Sequence, residues 1–298
     1  MILMVGSTGD LGGRVVRQLR GREQPVRCLV RPPTDASDVE ALGAHVVRGD
    51  LTDPASLRSS CTDVDMVVCT ATAIGRRLAA GGGPSIREVD DLGMGALIAA
   101  AEEAGVTRFV YVSYAGVEAG LNFPLERAKV ATERRLRASS MQVTIIRPDA
   151  FQELHLTVTG GFDLRAGKVA VIGKGDTRTR WVSADDVAAL VAAVAVEATP
   201  PPLIEFGGPE SISRNETIGV AEQLVGRKMK RRAMPRFVAR VAMRVLARPN
   251  PALASVFGLG VQMELSPQTW DDTPLRARGI EPRSATDFLG AQARAVGG

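Results

Sequence analysis

Three glycines near the start of the chain, Gly6, Gly9 and Gly12, have the spacing G-x-x-G-x-x-G and follow four apolar residues, Ile2 to Val5. An apolar strand that turns sharply into a helix leaves the helix's first N–H groups without partners and aimed at one point. The helix dipole favours an anion at the same point, so the turn is built to hold phosphate. Gly6 permits the tight turn, Gly9 lets a pyrophosphate approach the backbone, and Gly12 lets helix and strand pack closely. Val15, Val16 and Leu19 then supply an apolar helical stripe. The stretch reads as a dinucleotide cradle, with contacts expected from Gly6, Thr8, Gly9, Asp10, Leu11 and Gly12.

The residue after the second apolar run, Val26 to Val30, selects the nucleotide. A carboxylate there accepts from the ribose hydroxyls of NAD, whereas an arginine accommodates the 2′-phosphate of NADP. This chain has Arg31, then two prolines, and no acid before Asp35. NADP is therefore the expected cofactor, with NAD less favoured, and Arg14 on the first helix is placed to assist. Asp50 and Leu51 follow the third apolar run. Asp50 is a candidate acceptor for the adenine amino group and Leu51 a candidate surface for its ring; the same aspartate is also suited to capping the helix that Pro54 begins. Ala71, Thr72 and Ala73, after the fourth run, have the small side chains that a ribose and pyrophosphate require.

Catalysis centres on Lys129. Reductases of this architecture commonly place a tyrosine acid four residues ahead of a lysine, so that both reach one helix face. Here that position is Leu125, and Tyr111 and Tyr114, which flank Ser113, do not have the helical spacing to replace it. His155, one of two histidines, is a second candidate acid. Cys28, Cys61 and Cys69 lack metal-type spacing; Cys28 and Cys69 fall in apolar runs and read as core residues. No metal is expected.

These residues need a scaffold that brings loop ends together. Apolar runs at Ile2 to Val5, Val26 to Val30, His45 to Arg48, Met66 to Cys69, Arg108 to Ser113 and Val143 to Ile146 alternate with helical patterns, including Leu92 to Ala104 and Ala128 to Leu136. Six such units predict an α/β fold of the Rossmann type, a doubly wound parallel sheet with its ligand crevice beyond the strands' carboxyl ends. The expected division is a nucleotide-binding core over residues 1–150 and a smaller, interleaved substrate-side subdomain over residues 151–298. In the latter, Asp185 to Val196 reads as a helix, Leu203 to Phe206 as a strand and Ser213 to Gly226 as a capped helix. Ala79 to Pro84 is glycine-rich and reads as a mobile loop. Arg236 to Arg248 predicts an amphipathic helix, with Phe237, Val238, Val241 and Val245 on one face and Arg236, Arg240, Arg244 and Arg248 on the other; it is expected to pack on the subdomain and present a solvated arginine face. A peripheral contact with an anionic membrane surface or a protein partner is the other reading of that helix.

The 298 residues are 45% hydrophobic and 23% charged, as in ordinary globular proteins, with a formal net charge of +4. No apolar run is long enough to span a membrane and no signal peptide is visible, so a cytoplasmic location is expected. No nucleic-acid module or aromatic platform accompanies the mild basic charge, and no nucleic-acid partner is expected.

The ordered set Gly6-x-x-Gly9-x-x-Gly12, Leu29-Val30-Arg31, Gly49-Asp50-Leu51, Val112-Ser113, Lys129 with Glu133 and Leu136, and Ile146-Arg147-Pro148-x-x-Phe151 resembles the NmrA-like group of atypical short-chain dehydrogenases/reductases, which includes isoflavone-reductase-like and quinone-reductase-like proteins. Trp181 to Ala188 and Gly207-Gly208-Pro209-Glu210 look like later landmarks of that group, and the likeness covers about residues 1 to 226. The resemblance implies a nucleotide across the sheet that also meets Ser113 and Pro148, with Lys129 near the nicotinamide. It implies hydride transfer to a small quinone, enone or carbonyl substrate. Departure at Leu125 is shared by several relatives, some of which reduce substrates with lysine alone while others only sense the nucleotide or help assemble complexes, so a redox sensor or assembly factor with a protein partner is the alternative.

Overall fold

The computed structural model describes residues 1–80, 82–265 and 269–297. Ile2–Val5 (β1), Val26–Val30 (β2), His45–Arg48 (β3), Met66–Cys69 (β4), Arg108–Val112 (β5), Gln142–Pro148 (β6) and Leu203–Phe206 (β7) form one sheet, in the order β7-β6-β5-β4-β1-β2-β3. β1 pairs in parallel with β2 on one side and β4 on the other, which is why all four of its residues are apolar and buried. Strand order reverses between β1 and β4, so the connections leaving these two strands diverge and open a crevice at their carboxyl ends. The expected α/β doubly wound sheet is therefore present, with a seventh strand.

Helices follow the strands as the alternation predicts. Asp10–Gly21 leaves β1 with Val15, Val16 and Leu19 buried. The helix expected from Leu92 begins earlier, as a π-helical turn over Arg87–Gly93 that runs into Met94–Glu103. The helix expected from Ala128 begins at Pro124 and runs to Ala138, because proline's fixed φ and missing N–H suit a first helical position. Of the glycine-rich stretch read as a loop, Ala79 and Ala80 belong to the helix Ile74–Ala80, and Gly81 lies outside the described residues.

The chain divides into two compact units. The first comprises residues 1–113, 122–146 and 188–204; the second comprises 114–121, 147–187 and 205–298. In the second unit, Leu156, Phe162, Val169, Trp181, Ile218 and Leu289 belong to one buried cluster. Helix Arg214–Val225 has the anticipated ends: Ser213 and Glu216 form a reciprocal capping box and Gly226 closes it at φ 66°. Lys168–Ile172 is a strand that the apolar-run reading missed. It alternates exposed and buried residues and pairs in parallel with Lys230–Met234 and antiparallel with Phe162–Asp163. Helix Arg236–Val245 corrects its expected orientation: Ala239 and Met243 are the buried residues, and the Phe/Val face points to solvent.

Candidate functional site

At the carboxyl ends of β1, β2 and β4 the first unit holds a cavity of about 480 Å³. Its floor is the turn after β1. Gly6 has φ +94°, and a Cβ there would stand 2.8 Å from the Ala71 backbone nitrogen. A Cβ on Gly12 would stand 1.9 Å from the Gly6 carbonyl oxygen, so only glycine lets the helix start this close to the turn. Gly9 is the N-cap of Asp10–Gly21 and no side chain caps that helix. Its first-turn N–H groups thus lack intrahelical partners at the cavity floor, an arrangement suited to an anion.

Of the residues singled out from the sequence, Gly6, Thr8, Gly9, Asp10, Leu11, Gly12, Arg31, Asp50, Leu51, Ala71 and Thr72 all line this cavity. Asp50 uses one carboxylate oxygen, Oδ1, to accept from the Thr52 amide at 2.8 Å and the Thr52 hydroxyl at 2.7 Å. The cap of helix Pro54–Cys61 is instead Asp53, which accepts from the Ala55 amide. Arg14 donates from Nε to Asp10 Oδ1 at 3.1 Å and is not part of the lining.

Arg76 lines the cavity too, and sequence reading missed it. It sits in helix Ile74–Ala80, in the stretch after β4, and its Nε is buried with no hydrogen-bond partner among the described residues. Burial, and next the neighbouring charge of Arg31, hold its pKa below the usual arginine value. Two like charges brought toward one cavity, one with an unused buried donor, make a site complementary to a multiply charged anion. The signal in the sequence was a paired Arg76-Arg77 in a short connection, which charge alone does not distinguish from a solvated helix face.

Four other candidates lie outside the lining. Ala73 is buried and its N–H donates to Asp90 Oδ2 at 2.9 Å. Ser113 is buried beyond β5, with no partner for its hydroxyl among the described residues. Pro148 ends β6 and belongs to the second unit. Lys129 is buried on helix Pro124–Ala138; its Nζ donates to the Val112 carbonyl at 3.0 Å and lies 4.6 Å from the centre of the Tyr111 ring. Burial pulls the Lys129 pKa down, opposed by the charge of Asp90 and then by Cys69 and Glu133. Burial in turn raises the pKa of Asp90, against the attraction of Lys129. Leu125, one turn before Lys129, is buried and carries no proton. Tyr111 is also buried, and burial raises its hydroxyl pKa well above the usual tyrosine value, so it is a poor proton donor.

His155 and the three cysteines have structural surroundings. His155 packs beside Trp181, with ring centres 5.8 Å apart, and burial, helped by the charge of Arg214, lowers its pKa to about 4. A neutral imidazole at pH 7, with Arg214 donating to the residue's own carbonyl, acts as a packing residue, the structural alternative for a lone histidine rather than the candidate acid. All three cysteines are buried and free, each with its thiol pKa raised to about 11 by burial. Among the described residues no group of metal-ligating side chains is present, and no helix is long and apolar enough to cross a membrane.

Residues 6–198 match the family model described as NAD(P)H-binding. Over 91% of its length the chain is 27% identical to the photosystem II assembly factor Ycf39 of Trieres chinensis, covering 85% of that protein. It is also 27% identical to the NAD(P)H azoreductase of Xenophilus azovorans, with 100% of this chain and 99% of the relative covered. Among solved structures, the NADPH complex of the quinone oxidoreductase QOR2 from Escherichia coli superposes with a TM-score of 0.76 at 21% identity, over 98% of this chain and 99% of that one, a likeness of fold.

Proposed function

Since the chain belongs to the NAD(P)H-binding family, we propose that it is an NADPH-dependent reductase of small electron-poor acceptors such as quinones, enones or carbonyls. The observation that carries this reading is one compact unit containing both the glycine-floored cavity, with Arg31 and Arg76 on its wall, and the buried ammonium of Lys129. NADP(H), when bound, supplies the hydride. The first-turn N–H groups of helix Asp10–Gly21 hold the pyrophosphate, and Arg31 with Arg76 holds the 2′-phosphate. Asp50 receives the adenine amino group beside Leu51, and Thr8, Asp10, Ala71 and Thr72 shape the walls. In the same proposal, Ser113 and Ala73 belong to the nicotinamide end.

Lys129 carries three donors, one of them given to Val112. Its role is to orient the nicotinamide ribose and stabilise the acceptor oxygen that gains negative charge. Leu125 has no proton to give, so water delivers it to that oxygen. The azoreductase and quinone oxidoreductase relatives support a reductive activity. The test is NADPH consumption against a panel of quinones, azo compounds and carbonyls, comparing wild type with Lys129→Ala. Equal turnover in the two proteins removes Lys129 from the mechanism.

A second reading rests on Leu125 itself. With no proton donor one turn before Lys129, a protein that binds the nucleotide and changes its affinity for a partner, without turnover, fits the same cavity, and the Ycf39 relative points the same way. Affinity capture in the presence of NADPH or NADP⁺ tests it; recovery of no partner with either nucleotide rules against it.

A further inference from the structure

Helix Arg236–Val245 exposes the side that a helix in water normally buries. Phe237, Val241 and Val245 form one i, i+4 row, flanked by Val238, and their exposures are 69%, 54%, 66% and 37%. Arg236, Arg240 and Arg244 form the adjoining row, which Arg248 extends beyond the helix. Ala239 and Met243 are buried on the other side, and the helix Pro251–Leu265 packs against it. None of the four arginines has an ion pair among the described residues. Between Glu222 and Glu264 the sequence has nine basic residues and no acidic one. An apolar row edged by unneutralised guanidinium groups matches a surface that is apolar just beneath a layer of negative charge.

We propose that this helix is a peripheral membrane contact: Phe237, Val241 and Val245 enter the boundary between headgroups and acyl chains of an anionic bilayer, while the arginine row binds lipid phosphates. Size favours lipid over a protein partner. A ten-residue helix is about 15 Å long and about 10 Å across, far less than the roughly 800 Å² per partner of a stable protein interface. A fluid bilayer conforms to a narrow row and needs no matching pocket. The contact is interfacial, since no described helix is long and apolar enough to span a bilayer. None of these residues belongs to the lining of the nucleotide cavity.

Co-sedimentation of the full chain with phosphatidylcholine vesicles, with and without phosphatidylglycerol, tests the inference. The expected result is binding only where phosphatidylglycerol is present, weakened by salt as the Debye length shrinks. The exposed-face variant F237S/V241S/V245S is expected to lose at least about tenfold in partitioning while keeping its thermal unfolding and NADPH affinity. No binding to the anionic vesicles, or equal binding by wild type and variant, overturns the proposal. So does a lipid-free dimer, seen by sedimentation velocity, that the same variant dissolves, because the face then belongs to a second copy.

Discussion

Lys129 donates from Nζ to the carbonyl oxygen of Val112, at 3.0 Å, where β5 ends. The bond ties the helix Pro124–Ala138 to the strand end and fixes a buried ammonium whose charged form Asp90 favours. In Lys129→Met the aliphatic stem is kept and the charge removed. Turnover is expected to fall about a hundredfold, a typical loss for one electrostatic stabiliser, with NADPH affinity within a few-fold of wild type. Single-turnover kinetics alongside fluorescence titration separates the two quantities. An equal loss in both would mean that Lys129 only shapes the nucleotide site.

Arg31 and Arg76 line one cavity, and Arg76 has a buried donor with no acceptor among the described residues. Arg31→Ala and Arg76→Ala are each expected to weaken NADPH about tenfold, the scale of one charge-assisted hydrogen bond, and to leave NADH nearly unchanged. Calorimetric titration with both nucleotides reads the difference. A parallel loss for NADH would place these guanidinium groups on the pyrophosphate instead.

Gly12 and Gly13 are neighbours with opposite tolerance for a methyl group. A Cβ on Gly12 meets the Gly6 carbonyl at 1.9 Å, whereas one on Gly13 meets the Ser7 carbonyl at 3.5 Å, an ordinary contact. Gly12→Ala is expected to cost about 3 kcal/mol or more of stability and to abolish nucleotide binding. Gly13→Ala is expected to be neutral, or to stabilise the helix interior by up to about 1 kcal/mol. Urea unfolding of both variants checks the contrast.

His155 makes stability depend on pH. Its pKa of about 4 in the folded chain lies below that of a free histidine, about 6.5, so the unfolded chain binds more protons between those values. Stability from the neutral, half-buried ring is complete above about pH 6.5 and drains away as pH falls toward 4. Between pH 7.5 and 4.5, wild type is expected to lose about 2 kcal/mol more than His155→Leu. Asp149 and Asp186, raised by burial to about 6, act in the opposite sense, gaining stability as pH falls. Both are present in the two proteins, so the difference isolates His155.

Cys28, Cys61 and Cys69 are buried, and burial raises each thiol to about 11, so all three are expected to resist a thiol-reactive dye at pH 8 in the native state. They should react together on denaturation. Rapid modification of any one in the native protein would reveal local opening.

What the chain's order of residues decided by itself is local. A strand of four apolar residues followed by glycines at fixed spacing specifies its own turn, because φ at Gly6 and the contact of Gly12 with Gly6 arise within eleven residues. The capping box of Ser213 and Glu216 is local in the same sense, and so is the absence of an acid at Leu125. Lys168–Ile172 was legible only as a two-residue alternation, too short to separate from a loop before its partners Lys230–Met234 and Phe162–Asp163 were known. Folding alone decided which charges meet. It set Arg76 and Arg31 on one cavity, drew Asp90 and Lys129 into a shared buried setting, and packed His155 beside Trp181. It also chose which side of helix Arg236–Val245 faces water, since periodicity defines a helix's apolar face but only its neighbours decide whether that face is covered.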